Sequence, residues 1–178
     1  DKNFAPKALL ANISRAKDKM LTPEGLANSA GDNFALQVTA KVYRRYQEML
    51  KAANALDFDD IILLTVRLFR EYPEVLQKYQ RRYRYIMVDE YQDTNHAQYL
   101  LVSLLAGGHG NLCVVGDDDQ SIYKFRGATI ENILSFEQQF GNTTVIRLEQ
   151  NYRSTGTILD AANAVISRNS QRKGKTLW

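Results

Sequence analysis

At residue 85 the pattern of the chain changes. Before it, apolar residues recur at the three- and four-residue spacing of helices; from Tyr85 onward short apolar runs alternate with helical stretches. A repeated strand-then-helix order narrows the choice of fold, because strands joined by crossover helices lie parallel and need helices to cover them. The chain is therefore expected to be α/β: a parallel sheet with flanking helices, preceded by an all-helical segment. Strands are expected over 85–88, 112–115 and 145–148, and helices over 97–105, 130–140 and 155–166.

In the helical part, Leu9, Leu10, Ile13, Ala16 and Met20 predict a helix over 6–20, and Thr22-Pro23-Glu24 reads as a helix start followed by an irregular connection over 25–32. Over 34–54, Leu36, Ala40, Tyr43, Gln47, Leu50 and Ala53 share one face, and Lys41, Arg44, Arg45, Glu48 and Lys51 the other, which a solvated basic surface explains as well as a binding one. Asp57, Asp59 and Asp60 suit the positive end of the next helix, whose core stripe is expected to be Ile61, Leu64, Leu68 and Phe69; Pro73 opens a further helix to about residue 83.

A chain of 178 residues holds one ordinary domain or pieces of two. Its 44% hydrophobic and 24% charged content is that of a globular protein, and no apolar run approaches the roughly 20 residues of a membrane span, so membrane insertion is not expected. The start, Asp1-Lys2-Asn3-Phe4, has neither Met nor a signal-peptide pattern and reads as an excised segment. One cysteine, Cys113, forms no internal disulfide; within Leu112-Cys113-Val114-Val115 it is expected to be buried, in keeping with a reducing, cytoplasmic setting. A net charge of +3 does not by itself announce nucleic-acid binding, so local clusters must carry that question.

Three clusters carry chemistry. In the first, Tyr85-Ile86-Met87-Val88 ends in Asp89-Glu90, at the carboxyl end of a strand, where open α/β sheets bind ligands. Such an Asp can hold Mg²⁺ and the Glu can take a proton from an attacking water; equally, both acids can cap the following turn. The second is Val114-Val115-Gly116-Asp117-Asp118-Asp119-Gln120, where three carboxylates call for cations, hydrogen bonds or solvent, and Gln120 can orient a water at a terminal phosphate. Ser121-Ile122-Tyr123-Lys124-Phe125-Arg126-Gly127 follows, alternating aromatic and basic residues as single-strand binding surfaces do, although Tyr123 and Phe125 also suit a core. In the third, Leu148-Glu149-Gln150-Asn151-Tyr152-Arg153-Ser154-Thr155, a strand gives way to a helix capped by Ser154 or Thr155. Arg153 there can offer a forked cation to phosphate and Tyr152 a stacking face, or both can be plain surface residues.

Together these clusters resemble the superfamily 1 DNA helicases of the UvrD/Rep/PcrA type. Asp89-Glu90-Tyr91-Gln92-Asp93-Thr94-Asn95 is similar to their Walker B motif, 116–128 to their third motif, and Gln150 to Thr155 to their fourth, in family order; Leu56-Asp57-Phe58-Asp59-Asp60 matches the segment that re-enters their first motor domain. The resemblance spans nearly the whole chain. It implies a partial RecA-like (P-loop NTPase) sheet, with 1–55 from the helical 1B subdomain, 56–142 the distal part of motor domain 1A, and 143–178 the beginning of 2A. It also implies ATP and Mg²⁺ as cofactors. Asp89 would hold the metal, Glu90 activate water, Gln120 contact the terminal phosphate, Arg153 stabilise transition-state charge, Tyr152 stack on adenine, and Tyr123, Phe125 and Arg126 form the DNA surface. The family commonly has Trp where Phe125 stands and Arg where Lys124 stands, which implies a smaller stacking face.

The resemblance further implies 3′-to-5′ movement on single-stranded DNA, action at single-strand/duplex junctions, a role in repair or replication beside other proteins of those pathways, and a bacterial cytoplasmic location. No Gly-x-x-x-x-Gly-Lys-Ser/Thr loop occurs in the chain, so the isolated chain is expected not to turn over ATP. Two other readings remain: a metal-dependent nuclease using Asp89, Glu90, Asp117, Asp118 and Asp119, and a non-catalytic DNA-binding module.

Overall fold

A computed structural model of the chain describes residues 4–121, 128, 130–168 and 174–178. Its element order is α1 (Pro6–Asp18), α2 (Pro23–Ala30), α3 (Phe34–Ala52), α4 (Phe58–Glu71), α5 (Pro73–Arg82), β1 (Ile86–Val88), α6 (His96–Ala106), β2 (Leu112–Val114), α7 (Glu131–Leu134), α8 (Phe136–Gln139) and α9 (Gly156–Ile166). The change from helices to a strand and helix order falls where the sequence changes.

Local chemistry sets most of the helix starts. Pro stands at the first turn of α1, α2 and α5, where its missing N–H costs nothing. Asn33 caps α3, and capping boxes close the starts of α4 (Asp57 with Asp60) and α6 (Asn95 with Gln98). Residues expected to be an irregular connection instead form α2. The Thr22 hydroxyl accepts from the Gly25 N–H at 3.0 Å and Leu26 and Ala30 are buried, which outweighs a glycine cost of about 1 kcal/mol.

Ile13, Ala16, Leu26, Ala40 and Tyr43 form the core of the helical part, ringed by Leu21, Ala27, Leu36 and Tyr46. Lys17 lies in the same interior, its side chain wholly covered, with Nζ 2.6 Å from Asp57 Oδ2 and 2.8 Å from Asp60 Oδ1. Gln47 Nε2 donates to Asp60 Oδ1 at 3.0 Å. This polar knot corrects the expected stripe of α4. Because Asp60 turns inward to Lys17, the buried face is Asp60, Leu63, Val66 and Phe69, while Ile61 and Leu68 are exposed and Leu64 is half-buried.

β1 and β2 pair in parallel, Ile86 with Leu112, Met87 with Cys113 and Val88 with Val114. Side chains alternate across the pleat, so Ile86, Val88, Leu112 and Val114 are half-buried while Met87, 76% exposed, and Cys113 face outward. Cys113 is therefore exposed, contrary to expectation: among the described residues no layer covers that face.

Two further expectations change. The single helix over 130–140 is broken into α7 and α8 at Ser135, whose hydroxyl bonds back to the Glu131 carbonyl, a competition that bends helices. Residues 145–148 form no strand; Val145, Ile146 and Leu148 are exposed, and among the described residues no strand pairs with them. The pairing begins just beyond, where Trp178 N–H donates to the Glu149 carbonyl at 3.1 Å and Asn151 N–H to the Trp178 carbonyl at 2.8 Å.

Candidate nucleotide site

The chain leaves β1 through a tight turn. Asp89 Oδ1 accepts from the Glu90 N–H at 2.9 Å, and Glu90 takes a left-handed backbone, φ 50° and ψ 40°, before the single 3₁₀ turn Tyr91–Asp93. A residue other than glycine held there carries local strain, which tends to collect at functional sites. Both carboxylates are exposed, at the carboxyl end of β1. Neighbouring bonds pin the turn to β2: Val115 N–H donates to the Val88 carbonyl at 2.8 Å, and Tyr91 N–H to the Val115 carbonyl at 3.0 Å. Tyr91 is fully buried, with Phe136 edge-on to its ring at 5.7 Å.

Gln92 joins the two acidic loops. Its side chain is 1% exposed; Nε2 donates to Glu90 Oε2 at 2.7 Å, and Oε1 accepts from the Asp117 N–H at 2.9 Å. Gly116 makes this approach possible, since a Cβ on it would lie 2.5 Å from Gln92 Oε1 and 2.9 Å from Ile133 Cδ1. Further along, Thr94 receives Asn132 Nδ2 on its carbonyl at 3.1 Å, and Asn95 Nδ2 donates to Asp18 Oδ1 at 2.6 Å, so α7 and α1 brace the same segment.

Past Asp117 the chain makes a second 3₁₀ turn, Asp118–Gln120. Asp117 Oδ1 accepts from the Asp119 N–H at 3.0 Å, Oδ2 accepts from Gln120 Nε2 at 2.7 Å, and Lys175 forms an ion pair with the same carboxylate. Burial pushes the Asp117 carboxyl upward, but the Lys175 ammonium and the Gln120 amide outweigh it and hold it below the usual carboxylate range. Asp117, Asp118 and Asp119 lie close enough to share a cation; among the described residues Asp89 and Glu90 belong to no such group.

A cleft of about 500 Å³ separates this turn from α9 and the chain's end, lined by Asp117, Gln120, Asn163, Ile166, Lys175 and Leu177 among others. The expected phosphate sensor Gln120 is on its wall. Arg153 and Tyr152 are exposed outside that lining, Tyr152 at 86%, with its hydroxyl donating to Gln150 Oε1 at 2.8 Å. Asn151, not Ser154 or Thr155, organises the turn into α9: its Oδ1 accepts from the Arg153 N–H at 2.9 Å and the Ser154 N–H at 2.8 Å, whereas the Thr155 side chain caps nothing. Tyr123, Phe125 and Arg126 lie outside the described residues.

The loops that follow β1 and β2 thus meet through a buried amide that sequence reasoning missed. Gln92 stood inside the quoted motif, but nothing in its spacing from Glu90 and Asp117 marks it as the link.

Residues 1–141 match the family model described as the UvrD/REP helicase N-terminal domain. Over 177 residues, 99% of this chain, the sequence is 56% identical to the ATP-dependent DNA helicase PcrA of Bacillus subtilis and 55% identical to the proteins of that name from Staphylococcus epidermidis and Staphylococcus aureus. The chain spans 24% of the length of each of these relatives. By the match over 1–141 and this identity along nearly its whole length, the chain belongs to the UvrD/REP helicase family.

Proposed function

We propose that this chain is part of the motor of an ATP-dependent DNA helicase, holding its water-activating and phosphate-sensing groups. One observation supports the site reading above the others: Glu90 and Asp117, at the carboxyl ends of adjacent parallel strands, are bridged by the buried amide of Gln92. The name of the relatives, ATP-dependent DNA helicase, supports the activity.

In this reading the β1–β2 pair and its helices are the distal part of a RecA-like domain 1A over 56–142, the helices of 1–55 belong to 1B, and 143–178 begin 2A. The end of the family match at 141 supports the second boundary. Asp89, an exposed carboxylate with one oxygen engaged by the Glu90 N–H, fits a cation that keeps most of its own waters; Mg²⁺ there would supply charge neutralisation at the phosphates. Glu90 accepts the proton of the attacking water, and Gln120 contacts the terminal phosphate. Arg153 stabilises transition-state charge and Tyr152 stacks on adenine, which requires the exposed 151–155 turn to close over the nucleotide. Tyr123, Phe125 and Arg126 hold single-stranded DNA, including at duplex junctions.

The protein then moves 3′ to 5′, and its setting is DNA repair or replication in the bacterial cytoplasm. Because the phosphate-binding loop is not in this sequence, the isolated chain does not turn over ATP. The nuclease reading has less support, since the relatives are named as ATP-dependent DNA helicases. The test is made on the full-length protein, with single-stranded DNA and Mg²⁺. ATP hydrolysis stimulated by the DNA, with displacement of an annealed strand, is expected; DNA cleavage without nucleotide would contradict it.

A further inference from the structure

We propose that Gln92 is a positioning residue that couples the second acidic loop to Glu90, so that movement of the loop carrying Asp117 and Gln120 resets the carboxylate that activates water. The proposal rests on the reading of Glu90 as the base.

The geometry carries it in three steps. One planar amide holds both partners, with its donor on Glu90 Oε2 at 2.7 Å and its acceptor under the Asp117 N–H at 2.9 Å, so displacement of either partner tilts the plane that holds the other. The amide cannot swing away. It is 1% exposed, walled by Gly116, and anchored on the Tyr91–Asp93 turn, whose first N–H is bonded to the carbonyl of Val115, the residue after β2. Gln120 completes the chain of contacts, since its Nε2 bonds the carboxylate of Asp117, the residue whose N–H Gln92 reads. The segment 122–127, expected to meet DNA, follows directly after this turn in sequence.

Gln is the residue this position needs. Met would fill the space and make neither bond. Glu would keep the acceptor for the Asp117 N–H but replace the donor with a carboxylate beside Glu90 and Asp93, the latter 3.5 Å from Nε2.

The experiment uses the full-length helicase with Gln92→Met and Gln92→Glu, measuring ATP hydrolysis with and without a saturating single-stranded oligonucleotide. In both variants kcat with DNA is expected to fall by roughly tenfold or more, as when a reacting group is misplaced by a fraction of an ångström. KM for ATP stays within about twofold, and the ratio of stimulated to basal kcat falls toward one. That ratio does not depend on the fraction of protein correctly folded, so a purely structural role for Gln92 would lower both rates together and leave it unchanged. An unchanged ratio in both variants, beside an inactive Glu90→Gln control, overturns the proposal alone. Wild-type turnover in Glu90→Gln would remove the base assignment, and the proposal with it.

Discussion

Lys17 and Asp57, 40 positions apart in sequence, meet at 2.6 Å in the interior of the protein, where the Lys17 side chain has no solvent exposure. Asp60 takes a second position on the ammonium, and the rings of Tyr43 and Tyr46 lie 5.7 and 5.2 Å from it. The helices before residue 55 are thereby fastened to α4. Burial pushes the Asp57 carboxyl upward, yet the Lys17 bond and the Asp60 N–H outweigh it and hold it below its ordinary value.

Removing the cation leaves two carboxylates facing each other with neutral donors alone, the Gln47 amide and the Asp60 N–H, to answer their charge. Lys17→Met is expected to destabilise the chain by about 3–5 kcal/mol, the usual cost of breaking a buried pair from one side. Urea denaturation followed by circular dichroism measures it, and a loss below about 1 kcal/mol would show the pair to be ornamental.

Asp18 sets a pH dependence of opposite sign. Burial, aided by the charge of Asp59, pushes its carboxyl up to about 6, whereas in the unfolded chain it titrates near 4. The native state therefore binds this proton more tightly, and the stability it contributes is complete below about pH 4 and lost as pH rises through 6. Asp18→Asn keeps an oxygen for Asn95 Nδ2 and removes the titration. The stability of the variant relative to wild type is expected to rise between pH 4.5 and 7.5, measured from urea midpoints; a flat difference would refute the assignment.

Gly116 is fixed by space, not by backbone angle. In Gly116→Ala the new methyl meets Gln92 Oε1 at 2.5 Å and Ile133 Cδ1 at 2.9 Å, so the buried amide must move. An overpacking cost of about 1–3 kcal/mol is expected, together with loss of DNA-stimulated hydrolysis in the full-length protein. Wild-type stability and rate would mean that the site yields freely.

Phe125→Ala in the full-length protein is expected to weaken single-strand affinity by about 1–3 kcal/mol, the worth of one base-stacking contact. Fluorescence anisotropy with a labelled oligonucleotide reads it. An unchanged affinity would assign Phe125 to the core.

The helix starts were legible because caps and N-terminal prolines act within four residues: Thr22, Asn33, Asp57 and Asn95 each bond a neighbour three positions on. The strand ends were legible because carboxylates follow closely, Asp89 directly after β1 and Asp117 three residues past the end of β2. The rest depended on distant partners. α4 is rotated from its expected stripe because Asp60 answers Lys17 from α1, and no periodicity within α4 records that demand. Residues 145–148 have the composition of a strand, but a strand exists only when another backbone pairs with it. Cys113 sits in an apolar run, yet its face of the sheet has no cover among the described residues. Gln92 was one letter in a motif until the fold brought the Asp117 N–H, 25 positions away, to its oxygen.

The most direct measurement is ATP turnover by Glu90→Gln in the full-length protein, under saturating single-stranded DNA and Mg²⁺, with nucleotide affinity determined alongside. Glu90 as the water-activating base predicts a fall in kcat of roughly 10²–10⁴-fold with ATP affinity nearly intact. Turnover at the wild-type rate would contradict the account at its centre.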